Sequence, residues 1–227
     1  MEGFLDEELT REQAPLPVKT RQVILSALLS HHAQYSALCM LFARLDGREA
    51  RARCGEAVLQ NVAFSGFPKV INALRELQRA GLLEPSIIVA RPEQDQNIFG
   101  AVYGQTANQV RNDIEATSDV LWEWIDQFVY HTVLSRSLLE PKLRELCIVA
   151  LLCGSDLVSE PRILLGHMLG ALRVGASQEE VRDVIRLSAQ LSSLVRQNVD
   201  VATVKPIQSV LDRFERLAPA AAAEHKL

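Results

Sequence analysis

Rings are scarce in this chain: aromatic residues make up 5% of it, against 48% hydrophobic residues in all. With 227 residues there is enough chain to bury a core on its own, and that core must be aliphatic, rich in Ala and Leu and therefore helical in character. Long hydrophobic runs are missing too. The longest, Leu146 to Cys153, falls far short of the ~20 residues that span a bilayer. Basic excess is absent: 24 Lys and Arg against 28 Asp and Glu leave a net charge of −4, which argues against nucleic-acid or anionic-membrane binding. The opening MEGFLDEELTRE is acidic and unlike a signal peptide, so a soluble cytoplasmic protein is expected.

Cysteine is used sparingly, at Cys39, Cys54, Cys147 and Cys153, with no Cys-x-x-Cys among them. Reduced, mostly buried thiols follow, and a disulfide framework does not. There is no phosphate loop, no G-x-S-x-G and no dinucleotide fingerprint, so no cofactor is expected. His31 and His32 are adjacent, but neighbours on a helix point about 100° apart and do not converge on one ion. No metal site is expected.

What is present reads as helix throughout. Apolar residues at helical spacing run from about Val18 to Leu45 and stop at Asp46-Gly47; a second helix covers Arg48 to Phe64; Pro68 opens a third that ends at Gly81. Pro85 and Pro92 break the pattern over residues 81–97, which read as a linker. Further helices are expected near 98–115, 118–134, 140–153, 160–174, 178–197 and 205–217, with Ser177-x-x-Glu180 forming a capping box. The Pro-Ala-rich end from Pro219 reads as frayed.

Laying the two halves together shows a repeat. KTRQVILSALL at Lys19–Leu29 parallels KLRELCIVALL at Lys142–Leu152, and each precedes two more helices. The chemistry of the halves has diverged. Gln22 stands where the second half has Glu145, and Cys39 best matches His167.

Glu145 and His167 are the candidate catalytic pair. Glu145 lies one turn into a helix opened by Pro141, and His167 shares a face with Ile163, Gly170 and Val174 on the next, so one ionisable ring is aimed at an apolar surface. Histidine titrates near pH 6.5 and a carboxylate can orient and tune it, which suits proton transfer. Bland roles compete: a glutamate is favoured near a helix N-terminus by the dipole alone, and a histidine on an apolar face is commonly a packed core residue.

R-E-L at Arg144–Leu146 before an apolar helix, then His167-x-x-x-Ala171, Gly175 and Ser177-x-Glu179-Glu180-Val181, resembles the carboxymuconolactone decarboxylase and alkylhydroperoxidase D-like superfamily. The lead-in, with an aromatic-Gly turn at Tyr103-Gly104 and Arg136-x-x-Leu139, is similar to that of the decarboxylase branch, and the resemblance covers roughly residues 98–190. It implies an all-α, alkylhydroperoxidase D-like helical fold built from two related helical units: a degenerate unit at 1–80, the linker, a second unit at 98–218 and a disordered tail at 219–227. It also implies acid/base proton transfer or decarboxylation on a small carboxylated lactone by Glu145 and His167, with Arg136, Tyr130 and His131 on the substrate side. His131 replaces a glycine usual in that turn. Family members associate through helical faces, so a homo-oligomer is expected. In the peroxidase branch a Cys-x-x-Cys precedes the histidine, whereas Glu160 and Ile163 occupy those places here and leave no thiol chemistry by that route. The alternative is a non-catalytic helical scaffold derived from the same family.

Overall fold

The computed structural model describes residues 1–85, 97–154, 161–195 and 204–224, with backbone alone for 161 and 204–207. The chain is all-α, and among the described residues there is no β-strand element. No helix among them is long and apolar enough to cross a membrane. The linker expected at 81–97 lies largely outside the described residues, as does Glu160.

The first half contains α1 (Glu2–Thr10), α2 (Val18–His31), α3 (Tyr35–Ala43), α4 (Gly47–Gln60), α5 (Val62–Ser65) and α6 (Phe67–Arg79). The single helix expected from Val18 to Leu45 is in fact two. Ala33 takes φ 55°, and Gln34 N–H reaches back to Leu29 O at 2.8 Å, so a left-handed residue closes α2 although the apolar spacing runs on. Gly81 ends α6 by the same device at φ 67°. The acidic opening, to which no helix was assigned from the sequence, forms α1 with Leu5 and Glu8 buried.

The second half contains α7 (Ile98–Tyr103), a 3-10 turn at Gly104–Thr106, α8 (Ala107–Thr117), α9 (Asp119–Trp124) and a π-helical stretch at Ile125–Leu134. Then come α10 (Pro141–Gly154), α11 (Pro161–Arg173), α12 (Gln178–Val195) and α13 (Val204–Glu224). Asn97 and Ser118 cap α7 and α9 through their side chains. The helix expected near 98–115 is broken at Gly104, which has φ 53°, and the one expected near 118–134 passes from α to π geometry at Ile125. The capping box at the start of α12 is formed in both directions: Ser177 N–H donates to Glu180 Oε2 at 2.8 Å and Glu180 N–H to Ser177 Oγ at 3.1 Å. The tail expected to fray from Pro219 instead stays helical through Glu224. Val210, Phe214, Ala218 and Ala221 fall on one buried stripe, α13 packs along α11, and Glu224 accepts from Arg173 Nε at 2.8 Å. Tertiary burial thus holds a segment whose local sequence looks loose.

The two aligned segments form α2 and α10. α2 packs on α3 and α4, α10 packs on α11 and α12, and α2 and α10 lie against each other at the centre. Ala27 and Ala150, which match in the aligned segments, both lend a carbonyl to a buried side chain: Asn61 Nδ2 donates to the first at 2.7 Å and Ser188 Oγ to the second at 2.6 Å. The matched arginines, Arg21 and Arg144, are both sealed from solvent. Each sits within electrostatic reach of an acid from the other half, Arg144 of Glu56 on α4 and Arg21 of Asp183 on α12.

Candidate active site

The central helix α10 is apolar almost all round, as a helix buried on every side must be. Its two buried charged residues, Arg144 and Glu145, point different ways. Arg144 turns to the first half: Nη2 bonds Glu56 Oε1 at 2.9 Å and Nη1 bonds Gln60 Oε1 at 2.9 Å. Glu145 turns to α11, where its Oε2 lies 2.9 Å from His167 Nδ1. The glutamate is 1% exposed and the histidine 5%, so the contact is made out of water.

That pairing fixes the ring's working face. With Nδ1–H donating to the carboxylate, Nε2 is left as the acceptor, and it faces the Tyr103 hydroxyl at 3.5 Å. Tyr103 is the last residue of α7, brought over α11 by the turn at Gly104, which has φ 53°. Tyr130, buried in the π-helical stretch, is hydrogen-bonded to Tyr103. π-helical segments are rare and often sit at functional sites. Burial pushes the Tyr103 phenol up to about 12 and the Tyr130 phenol well above its ordinary value, with the nearby Glu145 charge acting in the same direction on both. Both stay protonated donors at neutral pH.

The walls are apolar. Phe99 stacks on Tyr103 and Tyr130 with ring centroids 4.7 and 5.0 Å away, and Phe64 of α5 presents its ring edge-on to His167 at 6.4 Å. Gly170, one turn beyond His167, lets α11 come close: a β-carbon there would stand 2.6 Å from Val102 Cγ1 and 3.2 Å from Glu145 Oε2. The other carboxylate oxygen, Glu145 Oε1, is buried and has no hydrogen-bond partner among the described residues. A buried charged oxygen with an unused lone pair is costly, and such atoms mark places where a ligand or water completes the site.

Of the residues singled out in the sequence, Glu145, His167 and Tyr130 come together and two do not. Arg136 is turned away from the role of substrate anchor: its Nε and Nη2 bond both oxygens of Glu56, at 2.9 and 3.0 Å, where it shares that carboxylate with Arg144. His131 is exposed and bonds back to Asp126 O at 2.8 Å. Ile163, expected on the histidine's face, is 53% exposed. Tyr103, Phe64 and Phe99 were missed as site residues. The aromatic-Gly turn at Tyr103-Gly104 was the available signal for the first.

The three buried thiols offer no alternative nucleophile. Burial raises Cys54 and Cys153 to about 12 and Cys147 further still.

No protein-family model matches the chain. It is similar to Peroxisomal protein 2 of Schizosaccharomyces pombe, 26% identical over 148 residues that take in 60% of this chain and 67% of the relative.

Proposed function

We propose that the protein is an acid/base enzyme that moves a proton on a small lactone with Glu145 and His167, a proton-transfer relative of the carboxymuconolactone decarboxylases that acts without loss of carbon dioxide. The observation that carries this reading is the 2.9 Å contact between Glu145 Oε2 and His167 Nδ1, made in a buried site whose second carboxylate oxygen is unsatisfied. A packed core histidine needs one hydrogen bond and an ordinary partner; it does not need an ionisable partner left half bonded. The carboxylate orients the ring and stabilises the imidazolium that forms when Nε2 takes a proton.

Substitution of His167 tests it, with the replacement chosen for its side chain. Alanine would strand Glu145 in the interior and cost ~1–3 kcal/mol whatever the residue's role. His167→Gln retains a donor for the carboxylate but cannot cycle a proton at neutral pH. Turnover of small lactones should fall by ~10²–10⁴-fold in His167→Gln with the melting temperature held within a few degrees. Unchanged turnover would overturn the reading, and a parent protein inert on every lactone would favour the scaffold.

For assembly we propose a homo-oligomer, supported by exposed Phe67, Val120 and Trp124, the last 64% exposed. A monomer by light scattering throughout the micromolar range would contradict it. For location we propose the peroxisome over the cytoplasm. The similarity to Peroxisomal protein 2 supports this. A fluorescent fusion of the chain should co-localise with a peroxisomal marker, and a diffuse signal would contradict it.

A further inference from the structure

We infer that Tyr103 is a catalytic residue, the hydrogen-bond donor to the carbonyl oxygen of an uncharged substrate, and that Tyr130 positions it. This rests on the proton-transfer reading of Glu145 and His167.

The hydrogen bonds run in one direction. Tyr130 supports Tyr103, Tyr103 faces His167 Nε2, and His167 Nδ1–H is engaged by Glu145. The link from His167 to Glu145 is close at 2.9 Å, and the link from Tyr103 to His167 is not. At 3.5 Å, the Tyr103 hydroxyl is well beyond the usual 2.5–3.0 Å of an O–H donor, so its proton and the Nε2 lone pair are both poorly used. A carbonyl compound that displaces this weak contact would use both. Its oxygen would accept from Tyr103 while its α-carbon presents a hydrogen to Nε2. The direction of the phenol shifts agrees: the bond to Tyr130 favours the ionised form of Tyr103, as expected when Tyr130 is the donor, and burial still keeps Tyr103 protonated.

Charge selects the substrate class. The site already holds one buried carboxylate with a free oxygen, and its lining is Phe64, Phe99, Val102 and the two tyrosines. Arg136 is bonded to Glu56, and Arg173 is bonded to Glu224. A substrate carboxylate would meet the charge of Glu145 with no cation among the described residues assigned to it, whereas an unsaturated lactone or ketone without a carboxylate meets a donor and an apolar wall.

The step balances without an added reactant. His167 Nε2 takes the α-proton; the C–H electron pair becomes a C=C bond, and the carbonyl π pair moves to oxygen, where Tyr103 stabilises it. The imidazolium, held by Glu145, then returns the proton to the far end of the conjugated system, restoring the carbonyl and shifting the double bond.

The test compares wild type, Tyr103→Phe, Tyr130→Phe and His167→Gln in the full chain. One arm follows exchange of the α-hydrogen of an uncharged unsaturated lactone with deuterated solvent, and the other follows binding of 4-nitrophenolate, whose oxygen mimics an enolate. Tyr103→Phe should slow exchange by ~10²–10³-fold with little change in KM and weaken 4-nitrophenolate about tenfold; Tyr130→Phe should do the same to a smaller degree. The uncharged lactone should exchange faster than its carboxylated analogue. Wild-type exchange in Tyr103→Phe, or preference for the carboxylated analogue, overturns the inference even if His167→Gln is inactive. If instead no exchange occurs in wild type but 4-nitrophenolate binding depends on Tyr103, the proton-transfer reading fails and the donor assignment stands. Should Tyr103→Phe not fold, 3-fluorotyrosine at 103 keeps the ring and makes the phenol a stronger donor; it should tighten 4-nitrophenolate, and no change would overturn the inference.

Discussion

Glu56 of α4 and Arg144 of α10 meet at 2.9 Å with both side chains sealed from solvent, so a salt bridge joins the two halves of the chain at the root of the helix that carries Glu145. Arg136 bonds the same carboxylate, and Gln60 takes the remaining reach of Arg144. Three charged residues thereby divide their tasks: Arg144 fixes α10 to the first half, Arg136 ties the segment before α10 to the same acid, and Glu145 is left facing α11.

Removing the shared acid should be severe. Glu56→Gln leaves two guanidinium groups without their anion in the interior, which typically costs ~3–5 kcal/mol. For a chain of this length that is a fall in melting temperature of roughly 6–20 °C. Thermal denaturation by circular dichroism reads it, and a change under 2 °C would show that the network is dispensable.

Ala33 is the one non-glycine residue with positive φ among the described residues, while Gly81 and Gly175 close α6 and α11 in the same left-handed conformation. A β-carbon in that region costs roughly 1–2 kcal/mol, part of which glycine returns through its greater freedom in the unfolded chain. Ala33→Gly should therefore raise stability by up to about 1 kcal/mol in urea titrations. A loss of stability would mean that the Ala33 side chain earns its place by packing.

Alkali should destabilise the fold in a defined window. Cys54 and Cys153 rise from 9.0 and Tyr103 from 10.0, each to about 12, because burial penalises the ionised form. The protonated forms are favoured by the folded state, so this contribution is intact below pH 9, where both states hold the proton. It is lost as pH climbs through 12, since the unfolded chain ionises first. The melting temperature should fall steadily from pH 9 upward. A flat profile to pH 11 would contradict the burial of these groups.

Thiol peroxidase activity should be absent. Cys54, Cys147 and Cys153 are buried with suppressed thiolates, and Ile163 holds one of the places a redox cysteine would need. Peroxide reduction with a dithiol, abolished by Cys147→Ser or Cys153→Ser, would contradict this.

Helical class was legible from periodicity, and the Lys19–Leu29 and Lys142–Leu152 pairing matches two central helices packed on each other. The meeting of Glu145 with His167 was legible because each lies on a strongly patterned helix. Arg136 was misread because a basic residue near a site looks the same in sequence whether its partner is a substrate or a buried acid 80 positions away. Tyr103 escaped notice for a related reason: its contact with His167 spans 64 positions and depends on how α7 crosses α11. The end of α13 was misjudged because Pro219 and an alanine run signal fraying locally, while burial of Phe214 and Ala218 and the Glu224–Arg173 pair act through the fold.

Deuterium uptake from solvent at the carbon next to the carbonyl of a small lactone, followed by NMR, is the most direct measurement of whether Glu145 and His167 move protons. A catalytic pair predicts measurable uptake with wild type and a fall of ~10²–10⁴-fold in both Glu145→Gln and His167→Gln, each melting within a few degrees of the parent. Equal uptake in all three proteins, or none with wild type, would contradict it.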